Sequence, residues 1–137
     1  MDIFNSHMNE NEIRQVSTLG LAHIGDAVFE LMVRSWLCAH GKLTSKGLHS
    51  ATVRYVSAPA QAMAVTKIID KLSPEELTIY KRGRNARVNS VPHRADISEY
   101  HAATGLETLF GWLYLFGMKE RLNELFLIIM EDSADAS

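Results

Sequence analysis

Apolar residues recur at helical spacing along most of the chain, and no stretch alternates with the period of two that a half-buried strand requires. Leu21, Ile24, Val28, Leu31 and Met32 fall at intervals of three and four, predicting a helix from about Thr18 to Ala39 with Ser17 or Thr18 as cap and Gly41 as stop. A second helix opens at Thr44 and ends near Val56, because Ser57 followed by Pro59 reads as the cap and first-turn proline of a third, which carries Ala62, Val65, Ile68 and Ile69. Ser73-Pro74-Glu75-Glu76 starts a fourth: Ser73 caps, Pro74 occupies the first position and Glu76 reaches back in a capping box. This helix runs toward Lys81 or beyond. The stretch from Lys81 to Pro92 has no apolar periodicity and reads as a helix end followed by a long basic loop. Asp96 with Glu99 three residues on forms another capping box and launches a helix holding Leu106, Leu109, Phe110 and Leu113, which stops around Gly117. A last amphipathic helix places Leu122, Leu125, Phe126 and Ile129 on one face and frays into Ser133–Ser137.

The expectation is an all-α fold. At 137 residues it is one domain, with 1–16 as an N-terminal segment, 17–132 as the folded unit and 133–137 as a flexible tail. An apolar content of 47% and a charged content of 22% exclude a disordered or collagen-like chain. The most apolar run, Ala102 to Phe116, is too short for a membrane span and carries Glu107, so it reads as a buried helix. No basic region with a long apolar run opens the chain, which argues against secretion. The one cysteine, Cys38, cannot form an intramolecular disulfide; lying in Trp36-Leu37-Cys38-Ala39, it reads as a buried thiol in a reducing, cytoplasmic setting.

Net charge is only -2, yet residues 31–95 hold eleven Lys or Arg against Asp70, Glu75 and Glu76, a local balance of +8. The remainder carries three basic residues and thirteen acids, a balance of -10. Such a division suits a chain with one surface for a polyanion and another region that gathers carboxylates, although a solvated surface would look the same.

Two acids interrupt otherwise apolar helices: Asp26 in Ile24-Gly25-Asp26-Ala27-Val28 and Glu107 in Gly105-Leu106-Glu107-Thr108-Leu109. Either could simply face solvent at a helix edge. Their neighbours weigh the other way, because Ala22 on one helix and Ala103, Thr104 and Gly111 on the other are small enough to let two helices approach and bring the carboxylates together. Two carboxylates meeting with no lysine or arginine between them repel unless a cation intervenes, and oxygen ligands with retained water suit Mg²⁺.

The stretch from Leu19 to Leu31, with Ile24-Gly25-Asp26-Ala27-Val28 at its centre, resembles the signature helix of ribonuclease III domains, and Thr104 to Leu115 resembles their second acidic helix. Leu48-His49-Ser50-Ala51-Thr52 with Val56-Ser57-Ala58, the segment from Lys81 to Ala86 and the lack of a double-stranded-RNA-binding domain narrow the resemblance to Mini-ribonuclease III, over roughly residues 17–130. The resemblance implies a helical, homodimeric endoribonuclease that cuts double-stranded RNA with Mg²⁺ and matures the 23S ribosomal RNA precursor. It places Asp26 and Glu107 on the family's metal-binding, catalytic aspartate and glutamate. Two further acids of classical ribonuclease III correspond here to Ala22 and Thr104, and Pro59 stands where a lysine is expected. Glu30 and Thr104 become candidates to support the metal ligands from behind.

Phosphodiester hydrolysis needs an activated water and neutralised phosphate charge, which a carboxylate-held Mg²⁺ supplies without a protein nucleophile. For the basic segment, Lys81, Arg82, Arg84, Asn85 and Arg87 are the candidate contacts to the RNA backbone, with Gly83 allowing close approach to a phosphate and Lys46 and Arg54 as extensions. The alternative for all of them is ordinary surface charge. His23 and His101 lack a partner at metal-binding spacing, and Trp36, Trp112 and Tyr114 read as core or dimer contacts. Two other functions are compatible with the sequence: a non-catalytic relative that binds double-stranded RNA, and an all-helical Mg²⁺-dependent nucleotide pyrophosphohydrolase. The second normally needs clustered acids one helical turn apart and leaves the basic segment unexplained.

Overall fold

All but the last of the α-helices begin where a short polar side chain satisfies the first free backbone N–H groups. In the computed structural model of the chain, the described residues are 2–5, 7–41, 44–86 and 96–135, with side chains to residue 131. They form α1 (Glu10–Arg14), α2 (Thr18–Ala39), α3 (Ser45–Val56), α4 (Ala58–Ile68), a 3₁₀ turn (Ile69–Lys71), α5 (Pro74–Arg84), α6 (Ile97–Leu115) and α7 (Lys119–Asp135). Among them there is no strand. Ser17, Thr44, Ser57 and Ser73 cap α2 to α5, and Ser57 also closes α3, so α3 and α4 share one hinge residue. Asp96 caps α6 by accepting from the backbone of both Ser98 and Glu99 and from the Ser98 hydroxyl, and these bonds hold its carboxyl below the usual range. The return bond expected from Glu99 is not part of this cap.

α6 is the central rod. From Ala103 to Leu113 every residue except Glu107 is buried, which is the signature of a helix enclosed on all sides. α2, α4, α5 and α7 pack around it. Phe29 meets Phe110 and Phe126 edge-on at 5.5 and 6.0 Å between ring centres, joining α2, α6 and α7 in one core. Glu76 and Arg121 tie α5 to α7: the guanidinium donates to both carboxylate oxygens at 2.8 Å and to the Lys71 carbonyl at 2.7 Å. Hydrogen bonding from Arg121 and Ser73 keeps the buried Glu76 carboxyl below its ordinary range despite desolvation.

Five details depart from the sequence reading. α2 turns Leu21, Gly25, Phe29, Val33 and Leu37 into the core, whereas Leu31 of the expected stripe is 52% exposed. α2 is apolar on two faces, and spacing alone does not say which is covered. Cys38, one position after the buried Leu37, is exposed beside Arg34 and His49 at a cavity of about 560 Å³. The expected buried thiol is therefore incorrect. α1, unannounced by periodicity because only Ile13 is buried, is held by a capping box between Asn9 and Glu12. α7 continues to Asp135, inside the segment read as a tail. Finally, α5 runs to Arg84, so Lys81, Arg82 and Arg84 stand on its last turn and not in a loop. Their charges suit the negative end of the helix dipole, and contact with α6 carries the helix past the point where its own pattern fades.

Candidate active site

The site depends on how closely α2 and α6 cross. A Cβ built on Gly25 would overlap the Glu107 carbonyl oxygen and lie 2.5 Å from its carbon; one on Gly111 would overlap the Leu21 carbonyl oxygen. Only glycine fits at these two positions, and the crossing sets Asp26, one residue after Gly25, beside Glu107. Asp26 lies close enough for its charge to act on the Glu107 carboxyl. Glu107 is pushed up to about 8, first by burial and then by the charge of Asp26. Gln61 opposes that rise by donating from Nε2 to Glu107 Oε2 at 3.3 Å. Asp26 itself is exposed.

This donor set fits a divalent cation. Two neighbouring carboxylates become attractive ligands once an ion offsets their repulsion, and no basic side chain among the described residues counters the charge of Asp26 at Glu107. His23 and Glu30 line a hollow of about 280 Å³ with Asp26. Glu30 reaches this hollow while paired with Arg34 at 2.7 Å. Thr104 does not support the acids: it is 6% exposed and its hydroxyl donates to the Tyr100 carbonyl one turn back.

α5 brings the basic residues to the same central helix. A Cβ on Gly83 would lie 2.6 Å from Thr108 Cβ, and one on Gly105 would lie 2.7 Å from the Tyr80 ring, so the two helices interlock. Gly83 thus serves helix contact and, being buried, is not available to a phosphate. Lys81, Arg82 and Arg84 are exposed. Arg82 Nε donates to Thr18 Oγ1 at 3.0 Å, and Arg84 lies over the Tyr80 ring and donates to Asn85 Oδ1 at 3.3 Å. Asn85 is the C-cap of α5. Arg87 lies outside the described residues.

Sequence reasoning missed Gln61. It is 2% exposed, and its Nε2 bonds Val56 O at 2.9 Å as well as Glu107. A glutamine in a helix carries no signal of its own; only the placement of α4 against α6 reveals it.

Comparison with known sequences settles the lineage. The ribonuclease III domain profile matches residues 19–118. The chain belongs to the ribonuclease III family. It is 38% identical to the Mini-ribonuclease 3 of Clostridium tetani over 122 residues, covering 88% of this chain and 81% of that one. It is 46% identical to the Mini-ribonuclease 3 of Brevibacillus brevis over 107 residues, 78% of this chain and 80% of the relative. A crystal structure of a protein from Fusobacterium nucleatum superposes with a TM-score of 0.80 at 31% identity, covering 88% of this chain and 97% of the other. Within the ribonuclease III family this chain is an endoribonuclease, from a lineage that acts on double-stranded RNA and generally requires a divalent metal. No described helix is long and apolar enough to cross a membrane.

Proposed function

We propose that the protein is a Mg²⁺-dependent, homodimeric endoribonuclease that cleaves double-stranded RNA in the cytoplasm and processes the 23S ribosomal RNA precursor. The observation that carries this reading is the meeting of Asp26 and Glu107 across the α2–α6 crossing. The two acids would hold Mg²⁺. When bound, the ion supplies positive charge at the phosphate oxygens and lowers the pKa of a water for attack on phosphorus. The chain's own contribution is placement: Gly25 and Gly111 set how closely the helices bring the acids together, and Gln61 restrains Glu107.

The last turn of α5 supplies the RNA contact. Lys81, Arg82 and Arg84 form an exposed cationic edge, Asn85 keeps its Nδ2 as a donor, and Arg87 extends the track in sequence. Sequence-poor grooves in duplex RNA make such contacts a source of affinity more than of selectivity. Replacing Arg82 and Arg84 together by alanine is expected to weaken binding to unrelated duplexes alike. The salt slope should fall by roughly one to two units, about 0.9 per lost phosphate contact on the B-DNA scale. Equilibrium binding across a salt series measures this, and an unchanged slope with collapsed single-turnover cleavage would move the turn into the chemical step.

Two strands need two sites, and closed two-fold dimers are the commonest assembly. Ile24, Ala27, Val28 and Leu31 of α2, together with Phe4 and Tyr114, line an apolar groove of about 340 Å³ suited to a second copy. The function is tested by incubating a long RNA duplex with the protein in Mg²⁺ and in chelator, with sedimentation in parallel. Metal-dependent double-strand cuts by a species of two chains are expected; cutting in chelator, or double-strand cuts by a strict monomer, would refute the reading. Duplex binding without cleavage in Mg²⁺ would favour the non-catalytic relative.

A further inference from the structure

Gln61 has a part in this site that its bond to Glu107 does not exhaust. Both protons of its Nε2 are used, one on Val56 O at the end of α3 and one on Glu107 Oε2. The reverse amide orientation would set an oxygen against a backbone carbonyl, so the pairing with Val56 fixes which end is which. Oε1 is consequently held at the other corner of the amide, buried and without a hydrogen-bond partner among the described residues. A buried amide oxygen in that state calls for a proton donor that is not part of the protein.

The neighbouring acids indicate which donor. Magnesium bound by one or two carboxylates keeps several waters, and each such water presents protons that need acceptors. Among the described residues no group of three or more metal-capable side chains gathers anywhere. Glu30 pairs with Arg34 through Oε2 at the hollow beside Asp26, and the Thr104 hydroxyl donates to the Tyr100 carbonyl. On Gln61, the residue that bonds Glu107, the buried acceptor without a partner is Oε1.

We infer that Gln61 is a positioning residue of the phosphodiesterase site, whose amide nitrogen anchors Glu107 to the α3–α4 junction and whose amide oxygen receives a proton from water held at the Asp26–Glu107 pair. This rests on the metal-site reading of those two acids.

The test uses the full chain with Gln61→Met, which keeps the length of the side chain and removes both polar ends, compared with Asp26→Asn. Groups that act on a metal through its hydration or its ligands commonly change affinity by about 10- to 100-fold. Gln61→Met is therefore expected to weaken Mg²⁺ and Mn²⁺ binding by calorimetry about tenfold and to raise the Mg²⁺ needed for half-maximal cleavage in step. KM for duplex RNA should stay the same. A merely structural glutamine would shift the melting temperature and leave the metal requirement alone, so that result in a folded variant overturns the inference. A second measurement needs no variant: substoichiometric Mn²⁺ added to the wild-type protein should broaden the Gln61 side-chain amide resonances together with the backbone signals of Asp26 and Glu107. If the Asp26 and Glu107 signals broaden while the Gln61 amide does not, the inference is wrong and the metal site stands. If Asp26→Asn cuts and binds metal like wild type, the metal-site reading itself fails, and this inference with it.

Discussion

Asp26→Asn and Glu107→Gln are each expected to lower duplex cleavage by at least about a thousand-fold while leaving helix content and RNA affinity close to wild type. Each change keeps side-chain volume and removes one carboxylate charge from the pair, and electrostatic stabilisation of several kcal/mol converts to that factor at 1.36 kcal/mol per decade. Single-turnover cleavage at saturating RNA measures the loss, and either variant cutting at wild-type rate would remove these acids from the chemistry. The same pair predicts an opposite effect on stability. Glu107 titrates in the folded metal-free protein at about 8, above the ordinary carboxylate value of 4.5. A raised folded value means that stability is fully present below about pH 4.5 and is lost as pH climbs through about 8. In chelator the wild-type melting temperature should therefore fall across that window, and Glu107→Gln should remove this dependence and melt above wild type at pH 8 and beyond. Magnesium should restore wild-type stability most at the high-pH end, because the ion then replaces the lost proton. Equal melting temperatures for wild type and variant at pH 8.5 in chelator would show that the pair carries no such repulsion.

That trade between stability and chemistry explains which parts of the site are legible without coordinates. Asp26 and Glu107 are visible because each breaks an apolar helix, and Glu107 proves to be the residue between Ala103 and Leu113 that escapes full burial. Helix limits are visible for a related reason: Ser17, Thr44, Ser57, Ser73 and Asp96, with Pro59 and Pro74 behind two of them, answer a purely local need of the backbone. Residues whose role comes from another helix give no such signal. Gln61 becomes informative only because Val56 and Glu107 meet it from two directions. Gly83 permits two opposite readings, phosphate approach or helix approach, and only the Thr108 and Gly105 atoms opposite it decide for the second. Cys38 and Leu31 fail the same way, since an apolar run shows that a helix has apolar positions and not which of them is covered.

Gly25→Ala is expected to be the most damaging single substitution for the fold. Alanine is the better helix former by about 1 kcal/mol, so by local propensity the change should help. Across the crossing, however, the new methyl would occupy the space of the Glu107 carbonyl, 2.5 Å from its carbon and 2.7 Å from Gly111 N. Backbone atoms of a central helix cannot turn aside as a flexible side chain can. The helices must separate along α2 and α6, and ordinary overpacking of a core already costs roughly 1–3 kcal/mol. Gly111→Ala presses on the Leu21 carbonyl from the other side and should behave alike, whereas Gly47→Ala meets only the Thr44 hydroxyl, at 3.0 Å, and should change stability far less. Denaturant unfolding of the three variants gives the order. Any fraction of Gly25→Ala that still folds should hold Asp26 farther from Glu107, so its melting temperature in chelator should vary less between pH 5 and pH 8 than that of wild type. A Gly25→Ala protein as stable as Gly47→Ala, with the wild-type pH dependence intact, would mean that the close crossing neither holds this fold together nor sets the two acids side by side.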